Sequence, residues 1–172
     1  MNSMKKILKH RPWLRGTMAL TILALNFAIA VTPAVSGDFT SRKPTQAELA
    51  GITETIGRVF RGWGNLDLDL YMSAWSVNAR QYLKNGVKRN YNEILSHRRS
   101  AFKKYREVHF FWEIHDCDID SNKAYVSCFY EMTFVKVDGS SFNEGDEEYY
   151  VLEYMPDGRW LIIENYDYLL KR

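Results

Sequence analysis

Cysteine is scarce in this chain of 172 residues: Cys117 and Cys128 are the only two. One disulfide at most can form, so a disulfide-stapled scaffold is excluded. Acidic residues are missing from the first 36 positions, which carry Lys5, Lys6, Lys9, Arg11 and Arg15. The apolar run at 17–31 falls short of the roughly 20 residues that a spanning helix needs. That opening has no Arg-Arg pair, and no cysteine stands near Ala34 and Ser36 to take a lipid. Internal repeats and low-complexity tracts are absent, which argues against solenoid and linker-like organisation.

A basic opening, an apolar run and small residues at Ala34 and Ser36 follow the order of a secretory signal peptide over residues 1–36. The chain is therefore expected to be exported, to the periplasm or beyond, with cleavage between Ala34 and Gly37. No stable membrane span is expected after cleavage. Removing the signal takes five basic and no acidic side chains from totals of 23 and 21, leaving a net charge of −3. No nucleic-acid footprint survives that loss, so no nucleic-acid partner is expected. The remaining length can bury one core without help from metals.

Residues 37–44 read as a polar leader, and 45–172 as one folded domain. Thr45 and Glu48 have capping-box spacing. Behind them Leu49, Ile52, Ile56, Val59, Phe60 and Trp63 recur at helical spacing. Gly62 and Gly64 are expected to weaken this helix where the stripe ends. Asp67 or Asp69 then caps a shorter helix carrying Leu70, Tyr71, Ala74 and Trp75. Asn85-Gly86 between short strand-like runs predicts a tight hairpin. Asn90 and Glu93 repeat the cap spacing and open a third helix through about Tyr105. The second half predicts strands at 108–120 and 123–137, then at 147–155 and 159–168. Phe110, Trp112 and Ile114 are apolar at even positions, Cys117 and Ile119 at odd ones. A one-residue bulge near His115-Asp116 would bring all five to one face. Helices followed by an antiparallel meander indicate an α+β domain.

Three stretches carry a resemblance. Trp63, Asp67-Leu68-Asp69-Leu70-Tyr71 and Trp75 are similar to the helical opening of nuclear transport factor 2-like domains. Leu152 with Asp157-Gly158-Arg159-Trp160-Leu161-Ile162 resembles the family's last hairpin, and Ala124-Tyr125-Val126 its central strand. Within the family the chain most resembles the SnoaL-like and DUF4440-like branches. It is also similar to a domain at the C-terminus of some exported L,D-transpeptidases, although the transpeptidase nucleophile motif is absent. The resemblance implies a cone-shaped α+β fold, with N-terminal helices packed on a curved antiparallel sheet around a pocket. That fold hosts enzymes and binding modules alike, so it implies no activity by itself.

In the last hairpin, Tyr154 is expected opposite Trp160, Leu152 opposite Ile162 and Tyr150 opposite Glu164, with Tyr166 one step beyond. Glu164 is then a carboxylate on an aromatic face, where burial would raise its pKa and suit it to general acid–base work. A rim carboxylate bonded to Tyr150 is the plainer alternative. Tyr71, Trp75, Trp112, Tyr130, Tyr150, Glu164 and Tyr166 form the expected pocket set. His97, His109 and His115 lack partners at metal-ligand spacing, so no metal site and no cofactor are expected. Cys117 and Cys128 fall on one sheet face as diagonal neighbours, a candidate disulfide or two buried thiols. The acidic run from Glu144 to Glu148 reads as a solvated hairpin tip. Arg98, Arg99, Lys103, Lys104 and Arg106 make the third helix basic, as its wet face or as a contact for anionic polymers.

Two functions compete on these residues. One is a non-catalytic binding or assembly module of the bacterial envelope, an accessory to peptidoglycan remodelling on the transpeptidase resemblance. It would take a small-molecule or envelope-polymer ligand and pair as a homodimer through the outer sheet face. The other is a small cyclase, isomerase or dehydratase using Glu164. Catalysis wants a second polar group to share the proton, and the sequence offers none; binding is the favoured expectation.

Overall fold

The computed structural model describes residues 41–167. The expected signal peptide, residues 37–40 of the leader and the end of the last predicted strand lie outside them. Helix α1 spans Gln46–Asn65 and starts at the expected box: the Glu48 amide donates to Thr45 Oγ1 at 3.3 Å, and the Thr45 amide donates to Glu48 at 2.8 Å. Ile52, Ile56, Val59, Phe60 and Trp63 form its buried stripe, while Leu49 stays exposed. Gly62 does not weaken the helix, which runs on to Asn65. A Cβ at Gly62 would lie 2.6 Å from Tyr71 Cβ, so this glycine is what allows the next helix to press against α1.

Helix α2, Leu68–Met72, is capped by Asp67, whose carboxylate accepts from the Leu70 amide at 2.9 Å. It is shorter than expected. The Ala74 carbonyl accepts from the Ile162 amide at 2.9 Å, so the chain is drawn into the sheet and Trp75 opens a strand. That strand, β1, is Trp75–Tyr82 and turns through Asn85-Gly86 into β2, Lys88–Asn90. Gly86 has a φ of 81°, as the hairpin requires. Helix α3, Tyr91–Phe102, is boxed by Asn90 and Glu93. It stops before Tyr105, where β3 begins.

Strands β3 (Tyr105–Asp120), β4 (Lys123–Lys136), β5 (Ser141–Tyr154) and β6 (Trp160–Tyr166) form the meander. The six-stranded sheet has the order β2-β1-β6-β5-β4-β3. It is mixed, where a wholly antiparallel sheet was expected. Three reversals between β3 and β6 leave β6 running parallel beside β1. The β3 bulge falls between Ile114 and Asp116, at the expected place. The largest correction concerns residues 144–148. They do not form a hairpin tip but lie within β5, with Met132 opposite Glu144, Tyr130 opposite Asp146 and Cys128 opposite Glu148. Pairing with an apolar strand overrides the low strand propensity of Glu, Gly and Asp.

The core lies between α1 and the sheet. Ile52 and Ile56 are fully buried, as are Val126, Leu152 and Ile162. Phe60 stacks on Trp112 with centroids 5.3 Å apart, and Trp63 meets Phe134 edge-on at 5.3 Å. Before α1, Arg42 exchanges two backbone hydrogen bonds with Ile119, and Lys43 pairs with Asp116 and Asp118. Residues 42 and 43 of the expected leader are thus tied to the edge of β3.

Candidate functional site

The last hairpin decides what faces inward. Tyr154 lies opposite Trp160 and Leu152 opposite Ile162, as expected. Beyond them the register shifts: Val151 faces Glu164 and Tyr150 faces Asn165. Ile163 is the extra residue, a bulge that rotates the rest of β6 by one position. Asn165 is therefore buried at 1% exposure where Glu164 was expected. Glu164 does not line the cavity; it accepts from the Tyr166 hydroxyl at 2.6 Å. Tyr166 in turn stacks on Tyr82, with centroids 4.6 Å apart.

A cavity of about 360 Å³ opens between α1, α3 and the inner face of the sheet. Of the expected pocket set it takes Tyr71, Tyr130 and Tyr150. Trp75 is buried behind Tyr71, at a centroid distance of 5.8 Å. Trp112 stacks on Phe60 and borders a separate groove beside Leu49 and Pro44. Glu144, Glu148 and Asp167 border the cavity, and the carboxylate tied into its wall is Glu148, two residues before Tyr150 on the same face of β5. Its Oε2 accepts from the Tyr150 hydroxyl and, at 3.2 Å, from Asn165 Nδ2. Gln81 Nε2 donates to Asn165 Oδ1 at 2.9 Å, and Arg89 Nη1 donates to Gln81 Oε1 at 3.2 Å. A polar chain thus runs from Arg89 on β2 through β1 and β6 to Glu148 on β5.

Burial raises the pKa of Glu148 above the ordinary carboxylate value. The Tyr150 hydrogen bond and the charge of Arg98 oppose that rise. Tyr150 is pushed up by burial and by the Glu148 charge, so its proton stays on and is donated. Arg98 lies inward, not on the wet face of α3. Its Nε donates to Tyr71 Oη at 2.9 Å, and its guanidinium sits 4.6 Å from the Trp63 ring centre and 5.0 Å from that of Tyr71. His97 and Lys104 border the same cavity. Burial and the neighbouring cations Arg89, Arg98 and Lys104 lower the His97 pKa.

The remaining candidates lie elsewhere. His115 bridges Glu147 at 2.7 Å and Glu113 at 3.0 Å, which raises its pKa. His109 pairs with Glu107 at 3.0 Å. Cys117 and Cys128 are free buried thiols and form no disulfide. The β3 bulge places Cys128 opposite Ile114, while Cys117 faces Val126. Burial pushes the Cys117 thiol up to about 11 and Cys128 higher still, so neither supplies a thiolate. Among the described residues no cluster of three His, Cys, Asp or Glu side chains could hold a metal, and no helix is long and apolar enough to cross a membrane.

No protein-family model and no curated protein matches the sequence. Solved structures do match. A nuclear transport factor 2-like superfamily protein from Salmonella enterica serovar Typhimurium superposes with a TM-score of 0.58 at 20% identity, over 68% of this chain and 87% of that one. The chain has the nuclear transport factor 2-like fold. A ketosteroid isomerase-like protein from Erwinia carotovora atroseptica shares this fold with a TM-score of 0.61 at 16% identity, over 71% of this chain and 95% of that one. A type 2 hexachlorocyclohexane dehydrochlorinase gives 0.61 at 14%, over 70% and 83%. The structural neighbours of this nuclear transport factor 2-like domain thus include enzymes, and at these identities the likeness concerns the fold alone.

Sequence reasoning missed Glu148, Asn165, Gln81, Arg89 and Arg98 as one group. Glu148 carried a usable signal, since it shares parity with Tyr150 and Leu152 along β5. Asn165 carried none, because a bulge has to be located before the parity of β6 can be read past it.

Proposed function

We infer that this chain is an exported binding module of the bacterial cell envelope, and that the cavity beside Glu148 holds a small organic ligand without turning it over. The observation that supports binding is the tethering of Glu148. Two donors converge on one of its oxygens, and a chain of amides behind them holds it in place. Such a carboxylate is a positioned acceptor for a hydroxyl or amine, and the aromatic walls supply flat apolar area. Export rests on the composition of residues 1–36, and the accessory role in peptidoglycan remodelling on the resemblance to transpeptidase-linked domains. An outer sheet face carrying Phe111, Tyr125 and Phe129 supports pairing of two copies. N-terminal sequencing of periplasmic protein should begin between Val35 and Asp38; full-length protein confined to the cytosol would end the export reading.

A second reading has one specific observation in its favour. Glu148 combines a raised pKa with an adjacent Tyr150 hydroxyl, the second polar group that acid–base chemistry wants. The role first given to Glu164 would then belong to Glu148, in a cyclase, isomerase or dehydratase. Glu148→Gln separates the two. Under binding, the variant folds and shifts ligand affinity modestly. Under catalysis, turnover of cyclic ketones or hydroxylated aromatics by the parent falls by about 10²–10⁴-fold in the variant.

A further inference from the structure

Two guanidinium groups border the cavity, and the protein leaves much of each unused. Arg98 spends Nε on Tyr71, and neither of its Nη atoms makes a hydrogen bond among the described residues. Arg89 spends Nη1 on Gln81, its one side-chain hydrogen bond among the described residues. Among the described residues neither is ion-paired with a carboxylate, although Glu144, Glu148 and Asp167 border the same cavity. The charges are segregated by element: Arg89, Arg98 and Lys104 come from β2 and the α3 end, and the carboxylates from β5 and the end of β6. A guanidinium cannot shed its proton to relieve burial. Its planar fork matches a carboxylate, and the resulting bonds are about twice as strong as neutral ones. Stacking on Trp63 and Tyr71 fixes the Arg98 fork before any ligand arrives, which lowers the entropy lost on binding.

We propose that the cavity selects a small organic acid that also carries a hydroxyl or amino group, its carboxylate seated on Arg98 and Arg89 and its donor at Glu148. This rests on the reading of the cavity as a ligand site and adds the ligand's class. Phe60, Tyr105 and Phe134 line the same cavity and suit an apolar or aromatic portion of the ligand. The volume of about 360 Å³ falls at the small end of ligand pockets, which excludes long polymers from full entry.

The test is calorimetric titration with a matched series: 4-hydroxyphenylacetate, its amide, the corresponding amine tyramine, and phenylacetate. The acid should bind about tenfold or more tightly than the amide. Phenylacetate, lacking the hydroxyl, should bind several-fold more weakly than the hydroxy acid. Arg98→Met and Arg89→Met should each weaken the acid by about 10–100-fold and weaken the amide by far less, so that the preference for acid over amide collapses. Arg98 packs against two rings, so its variant is checked by circular dichroism. If it unfolds, Arg89→Met at the more open strand carries the comparison. Equal binding of acid and amide, or tightest binding of tyramine, overturns the ligand class while the cavity remains a binding site. No binding of any member to folded parent protein at millimolar concentration overturns the class and the ligand-site reading together.

Discussion

Between the Gly158 turn and Leu152, β5 and β6 pair as a hairpin with an apolar inner face. Trp160 is 5% exposed, Leu152 and Ile162 are fully buried, and Tyr154, itself half exposed at the end of β5, packs on Trp160 with ring centres 5.2 Å apart. Past Ile163 the same two strands present Glu148, Tyr150 and Asn165 to a cavity and tie them into a polar chain. One extra residue separates the two regimes. Before the bulge the inward positions of β6 are apolar and add stability. After it the inward position is an amide, and the carboxylate that parity would have turned inward, Glu164, points away. Strand chemistry was retained and orientation was changed, which is how a bulge converts a closing hairpin into the wall of a site.

The apolar half should be the more costly to disturb. Trp160→Ala is expected to destabilise the domain by about 3–5 kcal/mol, the usual loss for a buried Trp. Part of that loss comes through α1, where Gly51 leaves space for the indole; the hydrogen bond from Thr55 Oγ1 goes to the backbone carbonyl of residue 160 and survives the substitution. A denaturant midpoint equal to that of the parent would mean that this end of the hairpin is exposed.

The polar half should respond less, and through hydrogen bonding instead of volume. Asn165→Leu nearly preserves volume but leaves Gln81 without an acceptor and Glu148 without one donor. About 1–3 kcal/mol is the expected cost, the price of leaving buried polar groups unpaired. A variant as stable as the parent would break the comparison by showing that water already satisfies these groups.

Much of this architecture was legible in the sequence because its signals were local. Thr45 with Glu48 and Asn90 with Glu93 fixed two helix starts, Asn85-Gly86 fixed a turn, and the parity change from Ile114 to Cys117 located a bulge. The bulge at Ile163 left no such trace, because Leu161, Ile162 and Ile163 are all apolar and hide the change of parity. Residues 144–148 misled for a related reason. Their composition says loop, yet β4 supplies an apolar partner strand that no local window contains. Arg98 shares a helix side with Ile94 and Phe102 by spacing, while its charge groups it with the basic residues read as a wet face or an anionic contact, and spacing alone does not decide between the two. The candidate site is thus built from the places where local and tertiary preferences disagree.

The finest test of the two halves is pH, because the polar half buries the Glu148 carboxylate. Burial raises the folded-state pKa of Glu148, so the proton is bound more tightly in the folded chain than in the unfolded one. The stability linked to this group is therefore fully present below the unfolded value of about 4.3, and is lost as pH rises through the raised folded value. Glu148→Gln keeps the shape and an acceptor for Tyr150 and carries no charge. The variant should be at least as stable as the parent at neutral pH, and the advantage should vanish under acid conditions. Asp138, Asp146 and Asp157 are shifted down by their own partners and make their contributions in the opposite sense. They are common to both proteins and cancel in the difference. Denaturant midpoints of parent and variant across the acid range give that difference directly. A gap that does not change with pH would place Glu148 in water, and the wall of the cavity would then be no different from the rim.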